Sequence, residues 1–324
     1  MTTIGIHKFI WQAPATFASL EDIVGDSRRQ KIMGERESRT SNSHSLNRHK
    51  RHFVGCGPSN EKAISSKQTL EFIINDLAHP SQNTRTTAKK KLLGIGEDAV
   101  PALTQALKSD NPTIREQVAK VFIEMGEPAK DALPELIEAL QDDLALVRTN
   151  SAKAIGEMGE GAKNAIPALV KLLGDHRPRV YAEVKEALKK IGIDVVPHLG
   201  KALKDDNHGL RLQALNLLEE FGKDAKGALP ELIEILQKES IGRIRAKAAE
   251  VIGNIGEEAR DAIPALVKAL ESHNESVWFR ATFALKKIGN ISSDDLKIAL
   301  THSSKQVRDQ AQFLLSNNSK QSLL

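Results

Sequence analysis

The chain has 324 residues, 40% of them hydrophobic but only 4% aromatic, and a single cysteine, Cys56. This composition points to a core of aliphatic and alanine side chains, fits helices better than a β-sandwich, and excludes an internal disulfide framework. The formal charge of +4 belongs to residues 1–60, which hold nine Lys/Arg against five Asp/Glu, while residues 61–324 hold 37 of each. The body therefore has no basic field to gather nucleic acid or an anionic membrane. No run approaches the ~18 apolar residues of a membrane span. The N-terminal stretch lacks a charged leader followed by an apolar block, so a cytoplasmic protein is expected.

Residues 1–65 are polar and basic, without helical or strand periodicity, and are expected to be poorly ordered. An apolar island (Ile4, Ile6, Phe9, Ile10, Trp11, Phe17 and Leu20) reads either as a cap on the body or as a docking motif. His44, His49, His52 and Cys56 have a spacing that zinc could use. No helix fixes them, and no metal site is assigned.

A repeat begins near residue 66 and runs to 316, leaving 317–324 as a polar tail. Its pattern is clearest in ALPELIEALQDDLALVRTNSAKAIGEMG, residues 132–159. Leu133, Leu136, Ile137 and Leu140 form one buried helical stripe, and Val147, Ala152, Ile155 and Met158 form a second. Prolines open the first helix at 101, 134, 167, 197, 230 and 264, and glycines close the second at 96, 126, 159, 192, 222, 256 and 289. Proline suits a first helical turn, whose amide has no partner. A period of 30 to 34 residues with two helices per unit predicts an α-solenoid of about eight units.

A longer period overlies this one. ALPELIE recurs at 132 and 228, AIPALVK at 165 and 262, and ALKKIG at 187 and 284, so residues 97–192 and 193–289 are two copies of a three-unit block. Any special feature of one block is expected to recur in the other.

The pattern P-x-L-[IV]-x-x-L, then [VIL]-R, then A-x-x-[IL]-G-x-[IM]-G resembles HEAT-like repeats of the phycobilisome lyase type. The resemblance implies an all-α fold, a right-handed α-α superhelix of about eight two-helix repeats. It implies a scaffold, a chaperone, or a subunit of a bilin-attaching lyase, in which case a bilin or a phycobiliprotein would be the partner. Deoxyhypusine hydroxylase also uses a HEAT-like frame, with His-Glu pairs as ligands; the sequence has no such dipeptide.

Eleven residues before each closing glycine stand Arg85, Arg115, Arg148, Arg211 and Arg245. They read either as a ladder paired with turn carboxylates such as Asp110, Asp142, Asp143 and Asp206, or as guanidinium groups offered to a partner's carboxylates or phosphates. Tyr181 and Trp278 break the row one block apart, each preceded by a histidine (His176, His273), with Arg280 close behind Trp278. Aromatic rings with a polar handle are typical interface anchors, though each ring could equally fill a gap between repeats. No phosphate loop, nucleophile elbow or histidine–carboxylate motif is visible. The expectation is a non-enzymatic protein-binding scaffold without cofactor or metal. Its proposed contacts are Tyr181, Trp278, Arg280, Arg115, Arg148, Arg211 and Arg245, and a bilin lyase subunit is the alternative.

Overall fold

The computed structural model describes residues 68–321, with side chains as far as 316, and these residues contain helices but no strand. The expectations for residues 1–65, including the zinc spacing, lie outside them. The described helices are α1 (68–76), α2 (Gln82–Ile95), α3 (Val100–Ala106), α4 (Pro112–Met125), α5 (Leu133–Ala139), α6 (Ala145–Glu157), α7 (Ile166–Leu172) and α8 (Pro178–Ile191). They continue as α9 (Val196–Ala202), α10 (His208–Phe221), α11 (Leu229–Lys238), α12 (Gly242–Ile255), α13 (Ile263–Ala269), α14 (Glu275–Ile288), α15 (Lys297–Leu300) and α16 (Lys305–Gln321). Odd-numbered helices are the first of each pair and even-numbered ones the second. The last helix runs on through 317–321, which the sequence pattern assigned to a tail.

Each pair forms for local reasons. A proline sits in the first turn of α3, α5, α7, α9, α11 and α13. Each closing glycine has a positive φ, between 56° at Gly222 and 98° at Gly192, a region that costs other residues strain. After every closing glycine but Gly289, a 3-10 turn then carries the chain to the next first helix. Within the blocks this turn has six or seven residues, as in Gly159–Ala165, but at the entrance to each block it shortens to Gly96–Ala99 and Ile193–Val195.

One aliphatic core runs the length of the stack. Leu136, Ile155, Leu169, Leu188, Leu232, Ile252, Leu266 and Leu285 are all fully buried. The second helices make the closest contacts inside the blocks. A Cβ on Gly156 of α6 would lie 2.8 Å from Ala187 Cα of α8, and one on Gly253 of α12 would lie 2.9 Å from Ala284 Cα of α14. These two contacts are counterparts, 97 residues apart. Between blocks, α8 and α10 make no such approach. They are tied instead by Lys185 and Lys189, whose Nζ atoms lie 3.0 and 3.1 Å from Glu220.

Candidate functional site

The turn inside each pair follows one rule. A side-chain acceptor takes the backbone N–H two residues on: Asp142 from Leu144 at 2.9 Å, Asp175 from Arg177 at 2.7 Å, Asp205 from Asn207 at 2.8 Å and Glu239 from Ile241 at 2.9 Å. Ser109, Ser272, His79 and His302 play the same part in the other units.

The arginine row latches onto this feature. Nη1 of three of these arginines reaches back to carbonyls in the turn after its own first helix: Arg115 to Ser109 at 2.8 Å, Arg148 to Asp142 at 2.8 Å, Arg211 to Asp205 at 2.7 Å. The rest of the guanidinium reaches forward to the carboxylate of the next unit: Arg115 Nε to Asp142 at 2.6 Å, Arg148 Nε to Asp175 at 2.9 Å, Arg211 Nη2 to Glu239 at 2.8 Å. Arg148 and Arg211 are only 9% and 8% exposed. Burial pushes the Asp142 carboxyl up, but the Arg115 hydrogen bond, the Leu144 amide and the charges of Arg115 and Arg148 outweigh it and hold it low. Burial likewise opposes the Ile241 amide and Arg211 at Glu239, and the net displacement is again downward.

This corrects the partner-facing reading of Arg115, Arg148 and Arg211, which are engaged within the chain both behind and ahead, although Arg211 Nε is buried without a hydrogen-bond partner. The ladder exists, but its carboxylates are Asp142, Asp175 and Glu239; Asp110, Asp143 and Asp206 contribute main-chain carbonyls instead. Arg245 has Ser272 ahead of it rather than a carboxylate, and its Nε turns to the Leu236 carbonyl at 3.3 Å.

The two aromatic breaks differ from each other. Tyr181 is half-buried against the core at the end of block one, where the carboxylate of the next acceptor, Asp205, consequently has no arginine partner. Trp278 is half-buried and meets Phe279 edge to face with centroids 6.1 Å apart, and Phe279 lies 4.7 Å from Phe283. Phe279 and Phe283 are 46% and 48% exposed. Arg280 donates to Glu250 at 2.6 Å.

Two hollows meet at that ion pair. One, of about 390 Å³, lies among α10, α12 and α14 and is lined by Leu212, Asn216, Arg243, Lys247, Glu250 and Arg280. The other, about 130 Å³, is lined by Gly253, Phe279, Phe283, Ala284 and Lys287 as well as the pair itself. Sequence reasoning missed both phenylalanines and Arg243. The available signal was the block repeat: position by position, block two departs from block one here.

A family model described as HEAT repeats matches residues 70–154, 133–219 and 229–316. The chain belongs to the HEAT-repeat family. No curated protein matches it. Among solved structures, this HEAT-repeat chain is similar to human deoxyhypusine hydroxylase, at 22% identity over 81% of this chain and 99% of that one, with a TM-score of 0.33. It is similar to the complex of CpcE and CpcF of phycocyanin lyase from Nostoc, at 23% identity over 47% and 98%, TM-score 0.37. It is also similar to a structure of Kap95p binding to RanGDP, at 13% identity over 81% and 41%, TM-score 0.47. At these levels the likeness concerns the helical-repeat fold alone. Among the described residues no helix is long and apolar enough to cross a membrane, and no three His, Cys, Asp or Glu gather as metal ligands.

Proposed function

We propose that this HEAT-repeat protein is a non-enzymatic scaffold that holds another protein along the second-helix side of block two, with Trp278 and Arg280 among its contacts. The observation that supports this reading is the contiguous aromatic group of half-buried Trp278 and exposed Phe279 and Phe283 beside an arginine. Aromatic rings and arginine are the residue types that dominate interface energies. Tyr181, with its ring half-covered, is a secondary contact at the seam between blocks.

The test is affinity capture from the native cell with the full chain, then with Tyr181→Ala and Trp278→Ala combined. Loss of the captured protein with helicity intact supports the reading. A partner retained by a variant whose fold has melted would reject the anchors. Recovery of a coloured tetrapyrrole or of phycobiliprotein subunits would instead favour the lyase-subunit alternative.

A further inference from the structure

The duplication supplies an internal control for what the fold requires. Phe279 stands where Ala182 stands one block earlier, Phe283 where Glu186 stands, Arg280 where Glu183 stands, and Arg243 where Leu146 stands. The lysines are kept: Lys189 and Lys190 in block one correspond to Lys286 and Lys287 in block two. Their surroundings are not kept. In block one, Lys189 is bridged to Glu186 at 3.5 Å and to Glu220 at 3.1 Å, and Lys190 to Glu157 at 2.8 Å. In block two, Phe283 replaces the first of those carboxylates and Asn254 the last, so Lys287 is left with a neutral amide at 2.6 Å. Lys286 has no hydrogen-bond or carboxylate partner among the described residues, and neither does Arg243 at the other end of the strip. The remaining cations, Lys247 and Arg280, are already neutralised by Glu219 and Glu250.

Block two has thus exchanged one in-chain carboxylate for a ring and another for an amide, and has gained a second ring at Phe279, while keeping the lysines that those carboxylates pair with in block one. The same backbone is stable without this arrangement in block one. We infer that the strip from Arg243 through the Glu250–Arg280 pair to Phe279, Phe283, Lys286 and Lys287 docks an acidic protein segment. An apolar side chain of that segment seats on the two rings, and its carboxylates replace those missing from block two. This rests on the protein-binding reading above and adds the partner's chemistry and its register along α14. Glu219 and Glu250 inside the strip disfavour a polyanion such as nucleic acid or an anionic lipid surface, which would meet them as like charges.

The test pans a random short-peptide phage library against the full chain, then measures selected peptides by fluorescence anisotropy. Expected peptides combine two or more Asp/Glu with a large apolar residue, and their affinity falls as salt rises. Phe279→Ala with Phe283→Glu installs residues that block one already accepts, so the fold is retained and affinity drops about tenfold or more, as for loss of an aromatic hot spot. Lys286→Glu with Lys287→Glu gives a second, independent loss. Peptides bound equally by both variants would overturn this inference but leave protein binding standing, whereas no selected peptide at all, together with empty affinity capture, would remove both. Phosphatidylserine vesicles or a single-stranded oligonucleotide bound by the wild type and lost in the variants would overturn the peptide assignment. So would a wild-type dimer abolished by Phe279→Ala with Phe283→Glu in sedimentation.

Discussion

Alanine at Gly156 tests the packing directly, because local propensity and tertiary contact predict opposite signs. In an exposed helix interior, glycine to alanine stabilises by about 0.5–1 kcal/mol. At Gly156 the new Cβ would lie 2.8 Å from Ala187 Cα and 2.9 Å from its Cβ, inside any real carbon–carbon contact. One of those atoms is backbone, so α6 and α8 must separate, and overpacking of this kind costs roughly 1–3 kcal/mol. The contact term wins, and Gly156→Ala should destabilise by about 0.5–2 kcal/mol net. Gly94 is the matched control: it lies inside α2, and a Cβ there meets nothing within 4 Å. Gly94→Ala should therefore stabilise by about 0.5–1 kcal/mol. Urea unfolding followed by circular dichroism would measure both, with hydrogen exchange locating the change, since a stack of repeats can open locally. Adding Ala187→Gly to Gly156→Ala should rescue only part of the loss, because the Cα clash remains. If Gly156→Ala proved as stabilising as Gly94→Ala, the close approach of α6 and α8 would be refuted.

Two further outcomes follow from the charges. Asp142 and Glu239 titrate below their ordinary range in the folded chain, so their contribution is complete above the unfolded carboxylate pKa of about 4 and is lost as pH falls through the lower folded value. Asp142→Asn should lower stability at neutral pH and flatten acid unfolding monitored by circular dichroism; an unchanged acid profile would show that the latch carries no linkage. At the seam between blocks, Lys185 and Lys189 hold Glu220 in solvated pairs worth about 0–1 kcal/mol each and screened by salt. Limited proteolysis should therefore cut first around residues 192–196, faster at high salt and faster in Glu220→Gln; preferential cutting inside a block would contradict this.

Most of the architecture could be read from the sequence because a repeat states the same physical requirement many times. Proline in a first turn and glycine at positive φ are backbone demands that tolerate few substitutes, so their spacing survives when side chains drift. The arginine row was visible for the same reason, and so was the ladder as one of its two readings, but not which carboxylates it uses. Only coordinates show that Nη1 of Arg148 reaches the Asp142 carbonyl of its own unit while Nε reaches Asp175 of the next. Asp175 and Glu239 escaped notice because their distinguishing property, accepting a backbone N–H two residues ahead, is also met by serine and histidine and so leaves no residue-type pattern. Tyr181 and Trp278 looked alike in the sequence, as rare residues at equivalent positions. In space one sits at a loose seam and the other opens onto a ring cluster that has no counterpart in block one.

That asymmetry bears on how duplicated solenoids acquire specificity. A latched position is constrained from two sides, by the carbonyls behind it and the carboxylate ahead; Trp278, with His302 ahead, has no carboxylate to hold, whereas Tyr181 leaves the Asp205 carboxylate unlatched. Surface positions between the latches carry no such constraint. The exchange of Ala182, Glu183 and Glu186 for Phe279, Arg280 and Phe283 leaves the Gly253–Ala284 contact as close as its block-one counterpart to within 0.1 Å at Cα. Under the proposed docking, fold and recognition are therefore written on different faces of α14. A substitution that moves block two toward block one on the exposed face should alter binding without altering stability, and one at Gly253 should do the reverse.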